Sequence, residues 1–189
     1  KQGKGDKSGL MINDKKSSDK KTDNVFIDLD LVSKALYCQA GMAFSQLSVQ
    51  KEGRAYAACT FKLNGKKVQH RSAKITPTKQ GLFVTIWKRN KEGLTAPLDA
   101  ADYFDLLLIT CSQSGKTGQF IFPKSILIDQ KVISVKDKGG RRGMRVYPPW
   151  EKPDNEQARK TQAWQADHFI DLDDPDALEK LPRIINSLV

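Results

Sequence analysis

The chain has 189 residues, of which 39% are hydrophobic and 29% charged, with a formal net charge of +10. This size and composition fit one globular domain with appendages and exclude a collagen-like fibre. No run approaches the ~18 apolar residues of a membrane-spanning helix, and the basic N-terminus lacks the apolar core of a signal peptide. We therefore expect neither membrane insertion nor a signal peptide. The three cysteines form no CxxC pair, which favours a reduced cytoplasm.

The positive charge is concentrated in the middle of the chain. Residues 1–24 carry 7 lysines and 4 aspartates and almost nothing apolar, which predicts a flexible basic tail or an expression leader. Residues 51–145 carry 19 basic and 7 acidic side chains, a net charge of +12. Residues 146–189 carry 5 basic and 9 acidic side chains, a net charge of −4. A concentrated basic field attracts polyanions, although a solvated charged face is the simpler alternative.

The first elements follow from apolar spacing and turn residues. Apolar side chains recur at helical spacing over Val25–Ala40 and predict an N-terminal helix. Residues 55–63 and 66–75 read as strands joined by Asn64-Gly65, a strong hairpin signal because both positions tolerate positive φ. Ile75 is expected to point into the core.

The remaining elements alternate apolar runs with turns. Further strands are predicted at Leu82–Trp87, Tyr103–Thr110, Gln119–Phe122, Val132–Val135 and Met144–Tyr147. Helical segments are predicted at Ser125–Ile128, at 156–169 after a cap at Asp154 or Asn155, and at 175–188 with a break at Pro182. The pattern predicts an α+β fold. Its mostly antiparallel sheet has about seven strands, is curled or a pseudobarrel, and is flanked by N- and C-terminal helices.

Two motifs raise the possibility of phosphate or metal chemistry. Gly115-Lys116-Thr117 lacks the glycine that a phosphate loop needs at position 110, so a hairpin turn is predicted there. Asp102 or Asp105 with Lys124 would suit a metal-dependent enzyme acting on nucleic acid or phosphorylated molecules, although no acid stands beside the lysine. This enzyme alternative stays open, with catalytic residues unknown.

Histidine and cysteine give no indication of a metal site. His70 and His168 are far apart in sequence and neither lies at a ligand spacing from a cysteine. No metal and no cofactor are therefore expected.

Cations at strand ends and in a glycine-rich loop are the candidate binding residues. Arginine forks suit phosphate or guanine edges, and aromatic rings can stack on unpaired bases. For Trp87, Tyr147 and Trp150, core packing is the alternative. The candidate nucleic-acid-binding residues are Arg71, Lys74, Thr76, Thr78, Lys79, Trp87, Lys88, Arg89, Lys124, Arg141, Arg142 and Arg145.

Three segments have long, unusual sequences that indicate a protein family more specifically than composition does. Residues 71–89 begin Arg-Ser-Ala-Lys-Ile-Thr-Pro-Thr-Lys, residues 118–124 read Gly-Gln-Phe-Ile-Phe-Pro-Lys, and residues 140–150 read Gly-Arg-Arg-Gly-Met-Arg-Val-Tyr-Pro-Pro-Trp. With Thr-Gln-Ala-Trp-Gln at 161–165, they resemble the MepB family over about residues 30–170. These are small bacterial proteins named for a multidrug-efflux operon that also encodes an export pump and a repressor.

The resemblance implies a nucleic-acid-binding protein with a barrel like the DNA-recognition domains of some restriction enzymes. It assigns no catalytic residues. We therefore predict a single MepB-like domain over residues 25–189, cytoplasmic, of unknown oligomeric state, that binds DNA rather than RNA without chemistry of its own. A protein-interaction module, using the acidic C-terminal helices, is a further alternative.

Overall fold

The computed structural model describes residues 26–186, so the tail predicted at 1–24 lies outside the described residues. Elements are numbered in chain order. The helices are α1 Ile27–Val32, α2 Lys124–Asp129, α3 Glu156–Ala166 and α4 Ala177–Asn186. The strands are β1 Phe44–Val49, β2 Cys59–Leu63, β3 Lys66–Ser72, β4 Lys74–Thr76, β5 Lys79–Thr85, β6 Trp87–Arg89, β7 Thr95–Pro97, β8 Leu106–Gln113, β9 Lys116–Pro123, β10 Gly143–Val146 and β11 Phe169–Asp171.

The fold is α+β, as predicted, but its strands form three sheets rather than one. The main sheet has six strands in the order β1-β2-β3-β8-β9-β11, a second joins β10, β5 and β4, and β6 pairs with β7. All the strand pairs are antiparallel except β3 and β8. In the described residues the main sheet is open, with β1 and β11 at its edges. It therefore differs from the predicted curled sheet or pseudobarrel.

Both faces of the main sheet are buried at its centre. Successive residues of β8 alternate between two apolar clusters, since side chains of a strand point to opposite faces. Leu106 and Leu108 pack with α1 and α4 on one face. Leu107 and Ile109 pack with β5, α2 and β10 on the other. This two-sided burial explains the continuous apolar run within the strand predicted at Tyr103–Thr110.

The predicted N-terminal helix is present and shorter than predicted. Helix α1 continues as a π-helical segment over Ser33–Tyr37. Leu29, Val32 and Leu36 are fully buried against the main sheet, as their helical spacing indicated.

Two tight turns confirm the local turn predictions. Asn64 and Gly65 have φ values of 50° and 79° and join β2 to β3. Ser114 and Gly115 have φ values of 51° and 78° and join β8 to β9. The Gly-Lys-Thr sequence is therefore part of a hairpin, and no phosphate loop is formed there.

Several predicted strands are divided or misplaced. The strand predicted over 66–75 breaks at Ala73 into β3 and β4, and Ile75 is 62% exposed rather than inward. Leu82–Trp87 is divided between β5 and β6, which belong to different sheets. Val132–Val135 forms only isolated bridges through Ser134 and Val135.

The C-terminal region matches the prediction in its helices but contains an additional strand. The Asn155 side chain accepts a hydrogen bond from the Ala158 amide at 2.8 Å and caps α3. The helix ends at Ala166, because Phe169 and Ile170 belong to edge strand β11. Helix α4 runs through Pro182 without the predicted break. Among residues 26–186, no helix is long and apolar enough to cross a bilayer.

Candidate functional site

A cavity of about 510 Å³ opens on the face of β3 that carries Gln69 and Arg71. These two residues lie beside Leu107 and Ile109 of β8, at the border of the second apolar cluster. The rest of the wall comes from the segment after β1, from β5 and β6, and from the segments around Leu98 and Tyr103. The lining residues are Gln50, Lys51, Glu52, Gly53, Gln69, Arg71, Thr85, Trp87, Lys88, Arg89, Leu98, Asp102 and Tyr103.

Arg71 is a buried cation without an acidic partner in the described chain, residues 26–186. It is 4% exposed, and one of its terminal nitrogens donates a hydrogen bond to the His70 carbonyl oxygen at 2.7 Å. No carboxylate within the described residues pairs with it. Burial lowers the pKa of Arg71 to about 10, so the guanidinium stays protonated at neutral pH. A bound anion would compensate this charge, which is expensive to bury alone.

The neighbours of Arg71 do not neutralise it. Burial raises the pKa of the Cys59 thiol to about 12, so at neutral pH the thiol carries no charge. Burial also lowers the pKa of His70 to about 3, so the imidazole is neutral as well. The positive charge at this end of the cavity is therefore that of Arg71.

Two ion pairs join the walls of the cavity. Lys88 of β6 pairs with Asp102, which precedes β8. Arg89 Nε donates to both carboxylate oxygens of Glu52, at 2.9 and 3.0 Å. The Arg89 guanidinium also lies 5.2 Å from the centre of the Trp87 ring, which fixes the indole against a cation.

The aromatic candidates differ in their surroundings. Trp87 is partly exposed and lines the cavity, and Tyr103 is 81% exposed there. Tyr147 is buried, and Trp150 packs edge-on against Phe169 while its Nε1 donates to Gln113 at 2.9 Å. Core packing therefore accounts for Tyr147 and Trp150, whereas Trp87 is available to a ligand.

Further cations lie next to the cavity on both sides. Lys62 of β2 stands opposite Lys67 of β3, so both lie on the face that carries Arg71. The Lys67 ammonium lies 2.9 Å from the centre of the Tyr103 ring at the cavity wall. On the other side, Lys88 and Arg89 also line a wider groove of about 1050 Å³.

Lys91 and Arg142 line this groove too, so cations extend from β2 to the end of β5. Arg142 is held beside β7 by a hydrogen bond from its Nε to the Thr95 carbonyl oxygen at 3.1 Å. We call this set the basic path. Its members are Lys62, Lys67, Arg71, Lys88, Arg89, Lys91 and Arg142.

A second group of predicted residues lies at the turn between β4 and β5. Arg145 donates to the Thr76 hydroxyl at 2.8 Å and to the Gln80 and Gly81 carbonyl oxygens, both at 3.2 Å. These bonds hold the turn and engage the hydroxyl of Thr76, one of the candidate nucleic-acid-binding residues. The exposed members of this group are Lys74, Thr78 and Lys79.

Two further candidates lie outside the cavity linings that form the basic path. Lys124 donates to the carbonyl oxygens of Ala100 and Asp102, at 3.1 and 2.5 Å, and thereby holds the segment before β8. Arg141 lines a separate small groove beside α3.

The carboxylates of the enzyme alternative make structural contacts. Asp102 accepts hydrogen bonds from Lys88 and from the Asp99 amide, the latter at 2.7 Å. Asp105 accepts one from the Lys67 amide at 2.8 Å. The described part of the chain contains no group of three or more His, Cys, Asp or Glu side chains that could hold a metal ion.

Sequence reasoning missed several members of the site. Gln50, Gln69 and Tyr103 line the cavity, and Lys62 and Lys67 extend the basic path. The two lysines flank the Asn64-Gly65 hairpin at equal distances from the turn, which is a signal that they face each other. No comparable signal joins the two glutamines and the tyrosine, because they come from three separate parts of the chain.

The fold and the site define an α+β protein with a basic, arginine-containing cavity at the border of two sheets. A family model described as MepB-like matches residues 50–171, which include the cavity residues. The chain belongs to the MepB-like family.

A crystal structure of MepB shares 31% sequence identity with this chain and covers 69% of it and 88% of its own length, with a TM-score of 0.67. A bacterial homing endonuclease shares 15% identity over 71% of this chain and 86% of its own, with a TM-score of 0.41. No curated protein matches the chain.

Proposed function

We propose that this protein binds nucleic acid, DNA rather than RNA, through the basic path and without chemistry of its own. The observation that carries the proposal is Arg71. Its guanidinium is buried, the residue lines the cavity, and it has no acidic partner among residues 26–186. A protein gains nothing in stability from such a charge, so an anionic ligand is the simplest reason for its presence.

The residues around Arg71 favour a polymeric anion over a small one. Lys62 and Lys67 lie on the same sheet face, and Lys91 and Arg142 line the adjoining groove. Successive phosphates of a nucleic acid backbone match cations that are spread over several strands, whereas a single small anion needs only one cluster. The remaining predicted cations with exposed side chains, at Lys74, Lys79 and Arg141, are proposed as outer contacts.

A matched pair of variants tests this proposal. In Lys62→Ala/Lys67→Ala the basic path loses two cations, whereas Lys34→Ala removes one cation from the π-helical segment after α1, on the opposite face of the main sheet. We expect the double variant to bind a short fluorescent DNA duplex about tenfold more weakly at low salt, and Lys34→Ala to bind as the wild type does. Equal affinities of the wild type and the double variant would contradict the basic path.

Two further readouts test the remaining parts of the proposal. RNA of the same sequence should bind more weakly than the DNA, and tighter binding of RNA would overturn the preference for DNA. Duplex incubated with the protein and Mg²⁺ should stay intact on a denaturing gel. Cleavage would instead establish the metal-dependent enzyme.

A further inference from the structure

The cavity has a shape and chemistry that a plain phosphate-backbone contact does not require. Its volume of about 510 Å³ lies within the range typical of small-molecule sites, which is several hundred cubic ångströms. A backbone phosphate held by surface lysines needs no such enclosure. The structure therefore offers space for a whole nucleotide next to Arg71.

The end of the cavity at Arg71 suits a phosphate. The planar guanidinium presents paired N–H donors that match phosphate oxygens. Gln69 lies two residues before it on the same face of β3, and its Oε1 accepts a hydrogen bond from the Gln50 side chain at 3.3 Å. Because that bond uses the oxygen, the amide nitrogen of Gln69, which lines the cavity, can serve as a second donor.

The part of the cavity wall that Trp87 forms suits a base. Trp87 is partly exposed there, and the Arg89 guanidinium over its ring holds the indole in place. Arg89 is itself fixed by Glu52. An indole held in this way is a preformed platform for a flat heterocycle, and stacking on it does not depend on base identity.

We propose that this cavity is a nucleotide pocket, in which Arg71 receives the phosphate and Trp87 receives the base. The inference rests on the proposed function in one respect, the source of the nucleotide. We take the nucleotide to be an unpaired position of a bound DNA strand. A paired base is stacked inside the duplex and cannot lie on Trp87, so the pocket favours strand ends, gaps or flipped positions. A free mononucleotide shares the same chemistry and is the other source that the experiment distinguishes.

The test is a cycle of two ligands and two proteins, measured by titration calorimetry. The ligands are deoxyadenosine 5′-monophosphate and deoxyadenosine, and the proteins are the wild type and Arg71→Met. We expect the wild type to bind the monophosphate about tenfold to hundredfold more tightly than the nucleoside, because the phosphate meets Arg71. In Arg71→Met this preference should disappear. Arg183→Met, an exposed position on α4, is the matched control and should keep the preference.

A second variant tests the base end and keeps the proposal falsifiable if Arg71→Met does not fold. Trp87→Leu should bind both deoxyadenosine compounds more weakly and bind 2-deoxyribose 5-phosphate, which lacks a base, as the wild type does. Equal binding of the monophosphate by the wild type and either cavity variant would overturn the pocket.

The source of the nucleotide is determined with a single-stranded oligonucleotide and the duplex. If the pocket serves a bound strand, the single strand should bind and Arg71→Met should weaken it more than it weakens the duplex. If the monophosphate binds at Arg71 but neither polymer binds, the pocket holds a free nucleotide and the proposed function is wrong. If the duplex binds but the cycle shows no preference for the phosphate, the pocket is wrong and the proposed function stands.

Discussion

The imidazole Nε2 of His70 lies 2.9 Å from the hydroxyl of Thr110, joining the neighbouring parallel strands β3 and β8. The imidazole Nδ1 lies 3.1 Å from the Ala57 carbonyl oxygen, which can only accept, so Nδ1 carries the proton and Nε2 accepts from Thr110. Thr110 in turn accepts from the Gln119 amide at 2.9 Å, and Gln119 accepts from the Tyr37 hydroxyl at 2.5 Å. A buried chain of hydrogen bonds therefore crosses the sheet.

This chain predicts that Thr110→Val is strongly destabilising. The valine has the same shape but cannot donate to His70 or accept from Gln119, so two buried groups lose their partner. We expect the free energy of unfolding to fall by about 2–4 kcal/mol in urea denaturation. Thr60→Val, at a half-buried position on β2, is the control and should change it by less than about 0.5 kcal/mol. A Thr110→Val protein as stable as the wild type would show that the chain contributes little.

The pKa of His70 predicts a loss of stability in mild acid. Burial lowers this pKa to about 3, whereas an unfolded histidine titrates near 6.5. Between these values the unfolded chain binds the proton and the folded chain does not, so stability falls as the pH falls. We expect a loss of about 2 kcal/mol between pH 7.5 and pH 5, measured by urea denaturation at each pH.

The same titration with His70→Gln isolates this contribution. Burial also lowers the pKa of His168, which adds a loss of the same sign in this range. The variant should therefore retain a smaller pH dependence than the wild type. An unchanged pH dependence would mean that His70 is not the group responsible.

Glu52 is expected to restrain nucleic-acid binding. Its carboxylate neutralises Arg89 and adds a negative charge to the cavity wall. Glu52→Gln should therefore bind duplex DNA about threefold more tightly, an effect of the size expected for an exposed ion pair. Glu179→Gln removes a carboxylate from α4, on the other face of the sheet, and should leave the affinity unchanged. Weaker binding by Glu52→Gln, measured by fluorescence anisotropy, would mean that Glu52 positions Arg89 productively.

Arg71 is expected to reduce stability while serving binding. Methionine at this position keeps the apolar stem and removes a buried charge that has no acidic partner among the described residues. We expect Arg71→Met to raise the free energy of unfolding by about 1–3 kcal/mol without ligand. Arg183→Met, at an exposed position, should change it by less than about 0.5 kcal/mol. A strongly destabilised Arg71→Met would indicate a structural role for the guanidinium.

Ser72 offers a related test one residue further along β3. Its hydroxyl is buried and has no hydrogen-bond partner within the part of the chain that the structure describes. Ser72→Ala removes that unsatisfied group, so the free energy of unfolding should rise by about 1 kcal/mol in urea denaturation. A loss of stability would show that the hydroxyl has a bound partner, such as a water molecule.

Local signals predicted much of the fold, and long-range pairing limited the rest. The helical spacing around Leu29 and the turn at Asn64-Gly65 depend on neighbouring residues, and both predictions are confirmed. Strand β1 was missed because a bulge, with φ of 57° at Gln46, interrupts its alternation. The parallel pairing of β3 with β8 brings together segments separated by strands β4 to β7, and no local pattern specifies it.

The candidate site was predicted as a set of cations, but not which of them share a surface. That Arg71 and Trp87 line the same cavity depends on how β3 and β6, which belong to different sheets, are arranged in space. Arg145 and Lys124 were indistinguishable from ligand-binding cations in the sequence, because a long side chain can equally well bond to a distant carbonyl oxygen. The structure shows that both make such bonds.

The most direct test of the account is the salt dependence of DNA affinity for the wild-type protein. Fluorescence anisotropy with a short duplex would give Kd at several salt concentrations between about 50 and 200 mM. If the basic path contacts four or five phosphates, log Kd should rise against log salt with a slope of about 4. A Kd that does not change with salt, or no binding at the lowest concentration, would contradict nucleic-acid binding through the basic path.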